Sequence, residues 1–187
     1  MFEKIKKNLL TFHSVHAIIS HTKKKGSKTM ANKMTIWFDL DGTLTNTYAV
    51  EGWLDMLRSH DPAPYRVAKP ALRMSQLARQ LNALQRKGAK LGIISWLSKN
   101  SNESFDNAVT KEKLRWLKKH LSSVTWDEIH IVPYGTNKAA SCGVNNNNFI
   151  LFDDEEQNRK TWEKFGGFSY PPTEITMTLS MLNQRLR

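Results

Sequence analysis

From residue 34 onward, short apolar runs alternate with longer amphipathic runs. The apolar runs predict strands at Met34–Asp39, Leu91–Ser95, Glu128–Val132 and Phe149–Phe152, with a shorter strand at Phe168–Tyr170. Continuous apolar runs are typical of parallel strands, because both faces of such a sheet are covered. Strands that alternate with helices predict an α/β fold, in which a Rossmann-like parallel sheet carries helices on both faces.

The amphipathic runs predict the helices. In Leu72–Lys87 the leucines recur at helical spacing, and Gly88 is a typical helix stop. In Ser104–Leu121 the same spacing predicts that Phe105, Val109, Leu114, Leu117 and Leu121 point inward. The remaining helices are predicted at Tyr48–His60, Thr136–Cys142, Glu155–Phe165 and Thr173–Leu186.

Composition narrows the class of protein. The length of 187 residues fits one domain, predicted at 34–187, and no apolar run approaches the roughly 18 residues that span a bilayer. A membrane partner is therefore not expected. The single cysteine, Cys142, excludes an internal disulfide and predicts a reducing, cytoplasmic location. The sequence does not indicate an oligomeric state.

The basic charge is concentrated at the start of the chain. Residues 1–33 contain eight lysines and one acidic residue, whereas the rest is only mildly basic although the whole chain carries a net charge of +11. Nucleic acid is therefore a partner that the sequence allows but does not favour, and a mild positive field suits a small anionic substrate. Residues 1–33 do not fit a signal peptide. They are interpreted as a disordered basic extension or as an upstream mis-start, with the natural start at Met30 or Met34.

Polar residues follow four of the predicted strands. Asp39 and Asp41 follow the first strand, Ser95 ends the second, Lys138 follows the third, and Asp153-Asp154 ends the fourth. The carboxyl ends of parallel strands meet at one edge of a sheet, where such folds bind ligands. Each residue alone has an ordinary explanation as a turn, a helix cap or a solvated lysine. Together they predict a single charged site.

This combination of groups predicts phosphate chemistry. Mg²⁺ can bridge carboxylate and phosphate oxygens, and it would be held by Asp39, the carbonyl of Asp41 and Asp154, with Asp153 beside it as a second or water-mediated ligand. Asp39 can then attack phosphorus, and Asp41 can transfer the proton. Ser95 and Lys138 would hold the phosphoryl oxygens.

The same residues resemble the four motifs of the haloacid dehalogenase-like (HAD-like) phosphohydrolases. Asp39-Leu40-Asp41-Gly42-Thr43 matches the first motif, Ile93-Ile94-Ser95 the second, Lys138 the third and Asp153-Asp154 the fourth. Asn158 stands where the last motif position is expected to be Asp. The resemblance implies a HAD-like core, a Mg²⁺ cofactor and phosphate binding by Thr43, Ser95 and Lys138.

A finer resemblance is to the 5'(3')-deoxyribonucleotidase group. It rests on Ser95-Trp96-Leu97-Ser98-Lys99 and on the run from Lys111 to Leu121. The resemblance implies a nucleoside monophosphate as substrate. Members of that group carry a sizeable helical cap between the first two motifs, whereas this chain has room only for a small cap insert within about residues 46–70, so the pocket is expected to be open.

The predicted function is a Mg²⁺-dependent phosphomonoesterase that forms an aspartyl-phosphate, similar to a 5'(3')-deoxyribonucleotidase. One alternative is a polynucleotide 3'-phosphatase, which an open site and a basic surface would suit. The other is a catalytically idle HAD-fold binding module. The complete set of charged groups at the strand ends argues against the idle module, because a domain without activity does not need them.

Overall fold

The computed structural model describes residues 34–186. The strands are β1 (Thr35–Phe38), β2 (Lys90–Trp96), β3 (Glu128–Val132), β4 (Phe149–Phe152) and β5 (Phe168–Tyr170). They form one sheet in the order β3-β2-β1-β4-β5, and every neighbouring pair is parallel. The predicted parallel α/β fold is confirmed, while the predictions for residues 1–33 lie outside the described residues.

The helices fill the connections between these strands. They are α1 (Trp53–Arg58), α2 (Ala63–Val67), α3 (Met74–Arg86), α4 (Glu103–His120), α5 (Lys138–Ser141), α6 (Glu156–Lys164) and α7 (Ile175–Arg185). Short 3₁₀ turns lie at Thr47–Ala49 and Pro172–Glu174. Among residues 34–186, no helix combines the length and the apolar character needed to cross a membrane.

Helices cover both faces of the sheet. Successive strand residues point to opposite faces, so Ile36 and Phe38 lie in one buried cluster and Trp37 lies in another. The first cluster includes Leu81 of α3 and residues of α7, and the second includes Trp162 of α6. The two-sided helical packing predicted from the sequence is confirmed.

The single helix predicted at Tyr48–His60 is wrong. The structure has the 3₁₀ turn Thr47–Ala49 followed by α1, which begins only at Trp53. Gly52 separates the two in the left-handed conformation, with φ of 67°. A residue in that conformation cannot continue a right-handed helix, so the chain turns there.

The inward position predicted for Leu114 in α4 is also wrong. Leu114 is 41% exposed, and the neighbouring Lys113 is only 2% exposed. Lys113 lies four residues after Val109, so regular helical spacing places it on the inward face. A buried lysine is tolerated only with a charged or polar partner, and Lys113 has such a partner in Asp41 at the carboxyl edge of the sheet.

Candidate active site

The carboxyl ends of β1, β3 and β4 bring three buried charged residues together. The ammonium group of Lys138, at the start of α5, donates hydrogen bonds to Asp39 Oδ1 at 2.8 Å and to Asp153 Oδ2 at 2.7 Å. All three side chains are no more than 6% exposed. Asp39 and Asp153 come from adjacent strands, and Lys138 neutralises part of their charge in a place that water barely reaches.

A tight turn after β1 shapes the edge of the site. The carbonyl of Leu40 accepts hydrogen bonds from the amides of Thr43, Leu44 and Thr45. Gly42 has a φ of 75°, which favours glycine, and a Cβ atom there would lie 2.3 Å from Asp154 Oδ2. The close approach of the Asp154 carboxylate to the main chain therefore depends on glycine at this position.

Asp41 is held on both carboxylate oxygens. Thr47 donates to Oδ1 at 2.9 Å, and Lys113 donates to Oδ2 at 2.6 Å. The same Lys113 ammonium donates to Ser95 Oγ at 2.8 Å and to the carbonyl of Trp96 at 2.5 Å. Lys113 thus connects the carboxylate that follows β1 to the hydroxyl in β2.

Thr43 and Asp154 contact each other across the site. The buried Thr43 hydroxyl accepts a hydrogen bond from the Asp154 amide at 3.0 Å and lies 3.4 Å from Asp154 Oδ1. Asp154 lies at the rim, where the residue as a whole is exposed although its carboxylate packs against Gly42. In this structure Thr43 orients the Asp154 segment.

Asp153 is surrounded by hydrogen-bond donors. Besides Lys138, the amide group of Asn158 lies 3.3 Å from each of its carboxylate oxygens, and the amide of Glu155 donates to Oδ1 at 2.9 Å. Arg159 donates to the main-chain carbonyls of Asp153 and Asp154 at 2.7 and 2.8 Å. The side-chain amide of Asn158 can donate a hydrogen bond to Asp153. The Asp that the sequence resemblance expects at position 158 would instead add another negative charge.

The local electrostatics favour a bound cation. Burial raises the pKa of Asp39 to about 7, with Asp153 and Asp41 adding to the effect and Lys138 opposing it. Burial together with the charge of Asp153 raises the pKa of Asp154 to about 6. Burial alone would lower the pKa of Lys138, but Asp39 and Asp153 outweigh it and hold that pKa above its usual value. These raised carboxyl pKa values come mainly from burial, with a smaller contribution from the neighbouring carboxylates.

The donor set fits Mg²⁺. Within residues 34–186, no three acidic, histidine or cysteine side chains already converge on one point. Mg²⁺ is usually held by one or two carboxylates, with the remaining positions filled by waters and substrate phosphates. The carboxylates of Asp39 and Asp154, with the main-chain carbonyl of Asp41, are oxygen donors of this kind, and the raised pKa values of the two carboxyls indicate that a cation would be stabilising.

A cavity of about 770 Å³ opens above these residues. Asp39, Asp41, Lys138, Asp153 and Asp154 line its floor. Its walls carry aromatic and basic side chains from the loops and from the segment between β1 and α3, namely Tyr48, Trp53, Arg58, Tyr65, Trp96, Lys99 and Tyr134. This volume lies within the range of small-molecule sites.

The strand-end pattern predicts Lys138 as a site residue, but it does not predict Lys113. The signal was present in the helical spacing, because Lys113 falls between Val109 and Trp116 on the inward face of α4. A lysine in a core position of a helix indicates a buried carboxylate nearby. Here that carboxylate is Asp41, 72 residues earlier in the chain.

The sequence matches no protein-family model and no curated protein. Comparison with solved structures does find likenesses. A protein of Mesorhizobium loti described as a HAD-like phosphatase has a TM-score of 0.53 and 15% identity, over 82% of this chain and 88% of its own. The chain has a HAD-like core. At this level of identity the likeness establishes the fold alone.

Two further solved structures show a weaker likeness. A D,D-heptose 1,7-bisphosphate phosphatase of Burkholderia thailandensis has a TM-score of 0.48 and 10% identity, over 80% of this chain and 98% of its own. The corresponding enzyme of B. bronchiseptica, complexed with magnesium and phosphate, has a TM-score of 0.47 and 14% identity, over 73% of this chain and 78% of its own.

Proposed function

We propose that this HAD-like chain is a Mg²⁺-dependent phosphomonoesterase that works through an aspartyl-phosphate on Asp39. The observation that carries the proposal is the buried contact of Asp39 with Lys138 at the carboxyl edge of the sheet. A carboxylate with a raised pKa, in a cavity and beside an ammonium group, is a candidate for catalysis. The adjacent carboxylates of Asp41 and Asp154 supply the remaining chemistry.

Each charged group has a distinct role in the proposal. Mg²⁺ would be held by the carboxylates of Asp39 and Asp154 and by the carbonyl of Asp41, and when bound it supplies positive charge that offsets the charge of the phosphate. Asp153 orients Lys138, because its oxygens are already engaged by Lys138 and Asn158. Lys138, which lines the cavity, stabilises the phosphoryl oxygens. Ser95, which the sequence also predicts to bind them, is fully buried against Lys113 in this structure.

The reaction has two steps. In the first, an Asp39 carboxylate oxygen bonds to phosphorus, the bond between phosphorus and the leaving oxygen breaks, and Asp41 donates its proton to that oxygen. In the second, water attacks the same phosphorus while Asp41 accepts a proton from the water. The bond between phosphorus and Asp39 then breaks, which releases inorganic phosphate and restores the Asp39 carboxylate.

We infer that the leaving group is a nucleoside, so that the substrate is a nucleoside monophosphate. The support is the character of the cavity, whose walls carry Tyr48, Trp53, Trp96 and Tyr134 above the charged floor. Apolar, aromatic walls with a few polar groups are typical of sites that bind a flat organic ligand. A volume of about 770 Å³ also accommodates a mononucleotide.

Phosphate release from a panel of phosphate esters tests this function. With Mg²⁺, we expect turnover of deoxynucleoside monophosphates that exceeds turnover of simple sugar phosphates. EDTA should abolish that activity and added Mg²⁺ should restore it, because Asp39 and Lys138 alone leave the carboxylate edge too negative for a phosphate dianion. Full activity in the absence of divalent cations would contradict the assigned Mg²⁺ site.

A polynucleotide 3'-phosphatase is the second candidate. The basic side chains of Arg58 and Lys99 line the cavity, and Lys99 is exposed beside the ring of Tyr134. Basic groups near the mouth suit a substrate with additional phosphates along a strand. A 3'-phosphorylated oligonucleotide belongs in the same panel, and faster turnover of it than of any mononucleotide would favour this candidate.

The close approach of Asp154 to Gly42 predicts a large effect of Gly42→Ala. The new methyl group would displace the Asp154 carboxylate and would also lie 2.9 Å from Tyr48 Cε2. Displacement of a metal ligand should raise the Mg²⁺ concentration needed for half-maximal activity at least ~10-fold. A Mg²⁺ titration of the initial rate measures this shift.

Gly143→Ala is the matched control. Gly143 also has a positive φ, 64°, but no atom lies within 4 Å of the added Cβ. Both substitutions carry the cost of a left-handed alanine, so that cost cancels in the comparison. The same Mg²⁺ dependence in both variants would exclude the steric contact with Asp154 as the cause.

A further inference from the structure

Two aromatic residues of the HAD-like core form a paired surface at the wall of the cavity. Trp96 ends β2 and Tyr134 follows β3, and their ring centroids are 5.0 Å apart at an angle of 53°. The Trp96 indole N–H donates to the carbonyl of Thr136 at 2.8 Å, which fixes the orientation of the indole. This pair therefore comes from strands and loops of the core, not from the insert between β1 and α3.

The pair extends from the reactive groups toward solvent. Lys138, which contacts Asp39, lies with its ammonium nitrogen 5.0 Å from the Trp96 ring centroid. At the outer end, the ammonium nitrogen of Lys99 lies 5.9 Å from the Tyr134 ring centroid. A phosphate bound at Lys138 would therefore have the Trp96 ring beside it, with Tyr134 further along the wall.

Tyr134 is 54% exposed, which is high for a ring that contacts another aromatic ring. Core packing does not require such a residue, because a buried position would give the ring more contacts. Aromatic side chains that remain open beside a ligand cavity are well suited to stacking against flat rings. The exposed fraction and the position in the cavity together distinguish Tyr134 from an ordinary surface tyrosine.

We propose that Trp96 and Tyr134 form a stacking platform for the nucleobase of the substrate. The inference rests on the proposed phosphatase function and specifies how that site selects its leaving group. A base carries a π-face that stacks on aromatic rings, whereas a sugar phosphate does not. In this chain the surface that recognises the base comes from the core, because the insert between β1 and α3 is short and offers little surface of its own.

Kinetics of Tyr134→Ala test the platform. A ribonucleoside 5'-monophosphate and ribose 5-phosphate share the phosphate and the sugar, and they differ at C1', which carries the base in one and a hydroxyl in the other. We expect Tyr134→Ala to raise KM for a nucleoside monophosphate about 10-fold, with kcat within about twofold, because stacking on one side chain has an effect of this order. KM for ribose 5-phosphate should not change, and Tyr134→Phe should behave as the wild type because the ring remains.

A second variant makes the result decisive. Trp53→Ala removes a different aromatic side chain from the cavity lining, one whose ring centroid lies 5.0 Å from that of Tyr48. A loss of base selectivity in Trp53→Ala but not in Tyr134→Ala would overturn the platform. Equal changes in KM for nucleotide and ribose 5-phosphate in Tyr134→Ala would overturn it as well.

Equilibrium binding separates this proposal from the proposed function. If the wild-type protein releases no phosphate from any ester, the phosphatase proposal fails. The platform is still supported if a nucleoside monophosphate quenches tryptophan fluorescence in the wild type and does so about 10-fold more weakly in Tyr134→Ala. No binding, or binding of equal strength in both proteins, would overturn the platform.

Discussion

Replacement of Asp39 by asparagine is expected to lower kcat at least ~1,000-fold, because removal of a nucleophile eliminates the covalent route. Asparagine keeps the shape of the side chain and an oxygen that accepts from Lys138, so the geometry around the 2.8 Å contact should persist. The variant should also fail to form a hydroxylamine-sensitive phosphoenzyme. Phosphate release under saturating substrate, together with acid trapping of labelled enzyme, measures both effects.

The same variant should be at least as stable as the wild type. The raised pKa of Asp39, about 7 against an ordinary value of 3.8, means that the folded state binds a proton there more tightly than the unfolded state. Ionisation of Asp39 therefore weakens the metal-free fold progressively as the pH rises from about 4 to about 7. Asparagine is uncharged, so at pH 8 the Tm of Asp39→Asn should equal or exceed the wild-type Tm. Near pH 4, where Asp39 of the folded wild type is protonated, any difference in Tm should vanish.

Glu156→Gln is a control for the loss of a carboxylate as such. Glu156 lies on the surface at the start of α6, in an exposed pair with Lys160. Its removal should change neither kcat nor phosphoenzyme formation, since exposed pairs contribute little. Wild-type-like turnover in Asp39→Asn would contradict the assignment of the nucleophile, and an equal loss in Glu156→Gln would point to a general effect of charge.

The fold could be predicted because its signals are local. Apolar runs such as Phe149–Phe152 coincide with the observed strand, and the leucines of α3 lie in the core at the predicted spacing. The helix predicted at Tyr48–His60 failed because Gly52 adopts a left-handed conformation that helical spacing does not reveal. Glycine permits such a conformation without requiring it, so the turn depends on the tertiary structure.

The sequence allowed site residues to be predicted only where they directly follow a strand. Asp39, Lys138 and Asp153 could be placed together because parallel strands end at one edge, and their contacts are short in the structure. Lys113 comes from the middle of α4, where no strand-end rule applies. Hydrophobic spacing favoured Leu114 as the inward residue, but a carboxylate partner made burial of the lysine favourable instead.

The second large effect is expected for Lys113→Met. Lys113 is the group that holds Asp41 and Ser95 in a fixed relation, through contacts of 2.6 and 2.8 Å. In the proposed reaction Asp41 must deliver a proton to the leaving oxygen. Without Lys113 the carboxylate is held by Thr47 alone, so kcat for a nucleoside monophosphate should fall about 100-fold, the usual scale of general acid catalysis.

The dependence on leaving group distinguishes this positioning role from simple damage to the fold. p-Nitrophenyl phosphate has a leaving group that departs without protonation, so Lys113→Met should lose much less activity toward it than toward a nucleoside monophosphate. Lys118→Met, on the exposed face of the same helix, should leave both rates unchanged. An equal loss on both substrates would mean that Lys113 only supports the fold. A selective loss would mean that the buried lysine of α4 controls proton transfer by holding Asp41, while Lys138 serves the nucleophile.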